Sequence, residues 1–296
     1  MRRAAALVLV LAAAGAAAGL FLTRAERLSE TDLAGIEPDL ARGEWVFHAS
    51  GCASCHVSPD AERGDTPVLA GGRRFETPFG TFVAPNISPH PEAGIGAWSD
   101  AEIVTAMTRG TSPEGRHYYP AFPYGAYAKA ELSDMVSLAA YLRTLPADAT
   151  PSAPHDLGLP YNIRAGVGLW KLLYLDTAWA VDVGDDPLLL QGRYISEALA
   201  HCGECHTPRD ALGGLDRARW FGGAPNPSGD GDIPAIHPGS LTWSEAEIAA
   251  YLSDGFTPEF DVAGGSMRAV VEGLARLTAE DLAAVAAYVK ATLPVE

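Results

Sequence analysis

Cys52-Ala-Ser-Cys55-His56 and Cys202-Gly-Glu-Cys205-His206 are two copies of C-x-x-C-H, 150 residues apart, and they use all four cysteines of a 296-residue chain. The pattern carries a specific chemistry. Two thiols three residues apart add across the two vinyl groups of a porphyrin, and the histidine directly after them lies beneath the ring and binds its iron axially. Other readings fit less well. Paired C-x-x-C groups that build a zinc site need no histidine after each second cysteine, and a redox dithiol belongs beside a βαβ pattern that neither motif has. Disulfides are common in exported chains, but a three-residue separation makes a poor structural staple. Cys52, Cys55, Cys202 and Cys205 are thus expected to attach two covalent haem c groups, with His56 and His206 as iron ligands.

Working outward, the two motifs head two related segments. LARGEWVFHASGCASCH (40–56) and LLQGRYISEALAHCGECH (189–206) each run from a glycine through an aromatic-bearing helical stretch into the cysteines. AAYLRTLP (139–146) and AAYVKATLP (286–294) close the two halves. Between them, WSDAEIVTAMTRGTSPE (98–114) pairs without gaps with WSEAEIAAYLSDGFTPE (243–259). Ser99 with Glu102, and Ser244 with Glu247, have the spacing of capping boxes, while Gly110 and Gly255 are placed to end the helices. Internal repetition therefore organises the chain. With few alternating β-branched runs, the fold class expected is all-α: tandem haem domains at 29–150 and 186–296, joined by a linker at 151–185. Within that linker, IRAGVGLWKLLYLD (163–176) predicts an amphipathic helix with Trp170, Leu173 and Tyr174 on one face, packed between the domains.

Composition sets the compartment and excludes some partners. Lys+Arg 21 against Asp+Glu 37 gives a formal net charge of −16, which argues against nucleic acid. An acidic surface suits a redox protein that docks through a basic patch. At the N-terminus, Arg2 and Arg3 precede an uncharged run from Ala4 to Thr23, 20 residues and long enough to span a bilayer as a helix. Ala16-Ala17-Ala18 offers a signal-cleavage site, yet Leu20-Phe21-Leu22 prolong the apolar run past it. Residues 1–28 are expected to be an N-terminal transmembrane helix or signal segment. The rest would face the periplasm from the bacterial inner membrane, or be soluble there after cleavage.

The sixth iron ligands divide the two halves. Met267 lies in GGSMRAVV (264–271), an expected irregular loop before the last helix, where glycines let the backbone approach a porphyrin. It is the expected distal ligand of the second haem. Carried back by the ungapped pairing, Met267 falls on Phe122; counted from the closing helices, it falls on Pro120. Neither can bind iron. Met107 and Met135 lie inside helical patterns, which leaves His117 as the expected ligand, with His48, His90 or an open position as alternatives.

TPFGTFVAPNISPHPEAGIGAWS (77–99), YYPAFPY (118–124), HCGECHTPRDALGGL (201–215) and GGSMRAVVEGLARLTAEDLAAVAAY (264–288) carry a further likeness. The chain resembles membrane-anchored dihaem cytochromes c, similar to the cytochrome c subunits of bacterial alcohol and gluconate dehydrogenases. Those subunits commonly carry a third haem and have methionine where Phe122 stands here. The resemblance implies an electron carrier between a dehydrogenase donor and a cytochrome, oxidase or quinone acceptor, with Asn86, Trp98 and Trp243 as haem contacts. The competing function is a dihaem peroxidase-like enzyme with an open first haem.

Overall fold

A computed structural model of the protein describes every residue except 1–2, 4–9, 12–13, 16, 20, 62–65, 228, 230 and 294–296. The first half comprises α1 (Leu40–Ala49), α2 (Cys52–His56), β1 (Arg74–Thr77), β2 (Gly80–Val83), α3 (Asp100–Arg109), α4 (Tyr124–Tyr127) and α5 (Leu132–Leu142). A connection follows with β3 (Asp156–Leu157) and α6 (Ala165–Tyr174). The second half comprises α7 (Pro187–Arg193), α8 (Cys202–His206), β4 (Ala224–Pro225), β5 (Asp232–Ile233), α9 (Glu245–Asp254), α10 (Met267–Leu274) and α11 (Ala279–Ala291).

The helices begin and end where their chemistry dictates. Ser99 and Ser244 form complete capping boxes with Glu102 and Glu247, and α3 and α9 stop at left-handed Gly110 and Gly255. In each half the first helix crosses the last in direct backbone contact. A Cβ on Gly43 would lie 2.1 Å from the Ser137 carbonyl oxygen, and one on Gly192 would lie 1.9 Å from that of Ala284. Only glycine permits either crossing.

One extra residue separates the second half from the first. Gly43 precedes Cys52 by nine positions and Gly192 precedes Cys202 by ten. The insertion is absorbed where α7 runs on as a π-helix over Tyr194–Leu199, the usual way a helix accommodates one added residue. This turn buries Glu197, whose carboxylate accepts from the Ala180 and Val181 amides and from the Tyr288 hydroxyl at 2.6 Å.

The halves meet through a contact used twice. The Tyr194 hydroxyl donates to Asp134 at 2.6 Å, and Arg42 holds the same carboxylate at 2.7 Å. On the other side the Trp45 indole donates to Asp281 at 2.8 Å, and Gln191 donates to its second oxygen at 3.1 Å. Each half thus presents an aromatic donor from its first helix to a buried aspartate on the other's last helix. The seam is pseudo-symmetric.

The expected helical class holds, with two small sheets added to it among the described residues. The fold is mostly helical, but β1, β2 and β3 form an antiparallel sheet and β4 pairs with β5. Strands of two to four residues are too short to show an alternating pattern. β3 comes from the connection and pairs Thr81 with Asp156, so the connection starts on the first half's sheet.

The connecting helix α6 lies across both halves. Its Lys171 donates to the Arg109 and Gly110 carbonyls, each at 2.7 Å, while Trp170 donates to the Leu212 carbonyl and Tyr174 to Asp210. The expected face is corrected at Leu173, which is 60% exposed; Val167 and Gly168 are the buried residues. Among the described residues no helix is long and apolar enough to cross a membrane. The span expected from Ala4 to Thr23 includes ten residues, 4–9, 12–13, 16 and 20, that lie outside the described ones.

Candidate haem centres

The two cysteine motifs are built alike. α2 and α8 each start from a left-handed residue, Gly51 at φ 61° and His201 at φ 44°, which turns the chain sharply out of the preceding helix. His56 Nδ1 donates to the Pro85 carbonyl at 2.9 Å, and His206 Nδ1 donates to the Pro234 carbonyl at 2.8 Å. A carbonyl only accepts, so the proton sits on Nδ1 and the Nε2 lone pair is free. That is the tautomer and orientation a metal-binding imidazole requires. Burial pulls both histidines below the ordinary value, against the opposing pull of those carbonyls, and favours the neutral ring.

The supports of these prolines are marked in the sequence only by a pair of glycines in each half. The Gly71 amide donates to the His56 carbonyl at 2.7 Å, and the Gly223 amide to the His206 carbonyl at 2.8 Å. Gly71 has φ +75° and a Cβ there would lie 2.5 Å from the Pro85 carbonyl carbon; Gly223 has φ +77°. The paired signal is Gly71-Gly72 ahead of Pro85 and Gly222-Gly223 ahead of Pro234. Asn86, directly after Pro85, has both ends of its amide engaged. Its nitrogen donates to the Asp148 and Thr150 carbonyls and its oxygen accepts from the Ser88 amide. It clamps the end of the first half beside the His56 support.

The cysteines fit covalent attachment. All four are free of disulfides. Burial pushes Cys52 and Cys202 up to about 12 and raises Cys205. Among the described residues no three of His, Cys, Asp and Glu gather into a metal-holding cluster, so the zinc alternative has no site. Apolar thiols, an imidazole of fixed tautomer and an orphaned Tyr124 hydroxyl buried beyond any partner fit a large apolar group with polar edges.

After α3 and after α9, backbone bonding sets the register of two matching loops. The Tyr118 amide donates to the Gly110 carbonyl at 2.7 Å and the Ala263 amide to the Gly255 carbonyl at 2.8 Å. Inside these, Ser112 bonds Arg116 and Thr257 bonds Asp261, with bridges Thr111–His117 and Phe256–Val262. Every pair is offset by 145 residues, which places Phe122 in register with Met267 and His117 with Val262. Met267 opens α10 instead of lying in an irregular loop, and packs half-buried on the core. His117 bonds the Thr23 carbonyl through Nε2 at 2.8 Å and lies under Gly168 of α6. Trp98 and Trp243 are half-buried, the first capped through its carbonyl by Arg143 and the second edge-on to Tyr251.

Residues 40–146 and 192–292 both match the cytochrome c family. The chain belongs to the cytochrome c family. It is 49% identical over 296 residues, the whole of both chains, to a "Diheme cytochrome c-type" protein of Cereibacter sphaeroides. With the fructose dehydrogenase cytochrome subunit of Gluconobacter japonicus it shares 32% over 275 residues, 90% of this chain and 55% of that one. With the gluconate 2-dehydrogenase cytochrome c subunit of Pantoea cypripedii it shares 31% over 262 residues, 84% of this chain and 58% of that one. The chain thus spans little more than half the length of these two dehydrogenase subunits.

In this cytochrome the two attachment turns approach one another. Burial, with Cys52, Cys55 and Glu204 as neighbours, raises the Tyr127 hydroxyl well above its ordinary value. The Tyr127 hydroxyl donates to the Ser50 carbonyl at 3.2 Å, and its ring meets His201 edge-on at 5.8 Å. His201 pays for a left-handed backbone that Gly51 adopts freely. Tyr127 lies outside every stretch singled out in the sequence, and His201, though it heads HCGECHTPRDALGGL, carries no signal there of its contact with Tyr127.

Proposed function

We propose that this dihaem cytochrome carries electrons on the periplasmic side of the bacterial inner membrane, from a dehydrogenase partner to a respiratory acceptor, tethered by residues 1–28. The carrying observation is the meeting of the two attachment turns at Tyr127 and His201. Haem bound at each motif supplies a one-electron iron couple. Turns in contact keep the two couples within one rigid seam.

The chain's own residues then have defined tasks. His56 and His206 present Nε2 to the iron while Pro85 and Pro234 hold their protons. Cys52, Cys55, Cys202 and Cys205 fix the rings covalently, and Met267 closes the second centre. Trp98 and Trp243 are the proposed contacts at the haem edges, with Asn86 as the clamp behind His56. Acidic residues outnumber basic ones 37 to 21, which favours a basic docking face on a partner. A dehydrogenase as donor is supported by the relatives that are cytochrome subunits of fructose and gluconate dehydrogenases.

The test is affinity purification of the full chain from its native membranes, followed by addition of alcohols, sugars or aldonates. One substrate should reduce both haems in the co-purified complex and none in the isolated cytochrome. Reduction of neither preparation, or peroxide turnover by the isolated chain, contradicts the proposal.

A further inference from the structure

The haem ligation just proposed leaves one position in the first half without a donor. Phe122 stands in the register of Met267, fixed by paired hydrogen bonds at Gly110–Tyr118 and Gly255–Ala263. A phenyl ring has no lone pair to give iron. The other methionines and histidines named for this half each have other neighbours: His48 packs edge-on to Phe47, with ring centroids 5.3 Å apart. Met107 occupies the position of Leu252, 7% exposed in the core of α3, and Met135 is fully buried in α5. His90 accepts the Glu92 and Ala93 amides at Nδ1.

His117 is separated from Phe122 by the direction of the chain. On extended backbone, neighbouring side chains project to opposite sides. Tyr118 faces Phe122, with ring centroids 6.1 Å apart, while His117 turns to Thr23 and Gly168. Its Nε2 proton is held by the Thr23 carbonyl. Five residues before Phe122, it holds the N-terminal segment and α6 against the loop.

Around Phe122 the wall is aromatic. Tyr127 lies 5.8 Å away and Tyr124 6.4 Å, centroid to centroid. The Tyr124 side chain is fully buried and its hydroxyl has no hydrogen-bond partner. Leaving such a donor unpaired carries a desolvation penalty. A wall of aromatic rings penalises charged ligands and accepts small neutral ones.

We propose that the first haem has no sixth ligand from the protein, and that its Phe122 side binds a small neutral π-acceptor, carbon monoxide or nitric oxide, when the iron is reduced. The second haem is closed by Met267. This rests on the proposed ligation but concerns a binding site, not the partner, so the outcome of substrate-driven reduction does not bear on it.

The test is titration of the dithionite-reduced, full-length holoprotein with carbon monoxide, alongside paramagnetic resonance of the oxidised form. One carbon monoxide per chain and one high-spin iron are expected. Phe122→Met should abolish uptake, whereas Phe122→Leu, His117→Ala and Met107→Leu should each keep it at one. No uptake with two low-spin irons overturns the proposal, as does uptake of two. So does His117→Ala or Met107→Leu creating a high-spin centre absent from the unaltered protein. If Phe122→Met fails to bind haem, the spin states of the unaltered protein and of Phe122→Leu still decide.

Discussion

The two halves of this cytochrome share a scaffold and are proposed to differ at the iron. Their first and last helices cross at Gly43 and Gly192, their capping boxes repeat, and their histidines are held by Pro85 and Pro234. They part where Met267 opposes Phe122, where Gly51 opposes His201, and where a π-turn buries Glu197 in the second half only. Helix crossings and axial-histidine support thus tolerate little change, while the loop facing the other side of the haem can be respecified one side chain at a time.

Disrupting the shared crossings should have the largest effect. Gly43→Val and Gly192→Val each drive a side chain into a carbonyl, and each should cost about 3 kcal/mol or more in denaturant unfolding of the holoprotein. A half that tolerated the change would show that the crossings are not equivalent. Next, Tyr288→Phe removes a donor from buried Glu197 and should cost roughly 1–3 kcal/mol. Tyr141→Phe, at the matching position but half-buried against Phe47, should change stability by less than about 0.5 kcal/mol. Equal losses would mean that the π-turn adds nothing particular to the second half.

Smaller effects measure the symmetry of the seam. Trp45→Phe and Tyr194→Phe each remove one hydrogen bond to an aspartate across the halves. Each should cost about 1–2 kcal/mol by the same unfolding measurement, with additive effects because the two contacts are separate. The capping serines are the finest probe. Ser99→Ala and Ser244→Ala should each lower stability by about 1 kcal/mol, and a difference beyond about 0.5 kcal/mol would break the equivalence.

Much of this is legible in the chain. The cysteine motifs and the capping serines with their terminal glycines depend on local chemistry, so they can be read directly. So can the ungapped pairing that carries Met267 onto Phe122. Pro85 and Pro234 are not legible, because each meets its histidine across 29 and 28 residues of irregular chain respectively. The strands escape notice because they are so short. His117 attracts attention through its count from His56, and its contacts with Thr23 and Gly168, which no count along the chain reveals, favour the proposal that it does not bind iron. The role of α6 as a bridge is readable from its amphipathic pattern, whereas the outward turn of Leu173 depends on where Gly168 and Lys171 dock.

One scaffold with two kinds of iron site is tested most directly by the thioether-to-iron charge-transfer band of the oxidised holoprotein before and after Phe122→Met. One methionine-bound haem per chain is expected before the change and two after it, with Met267→Ala removing the band from the unaltered protein. A band already accounting for two haems, or one that survives Met267→Ala, would contradict it.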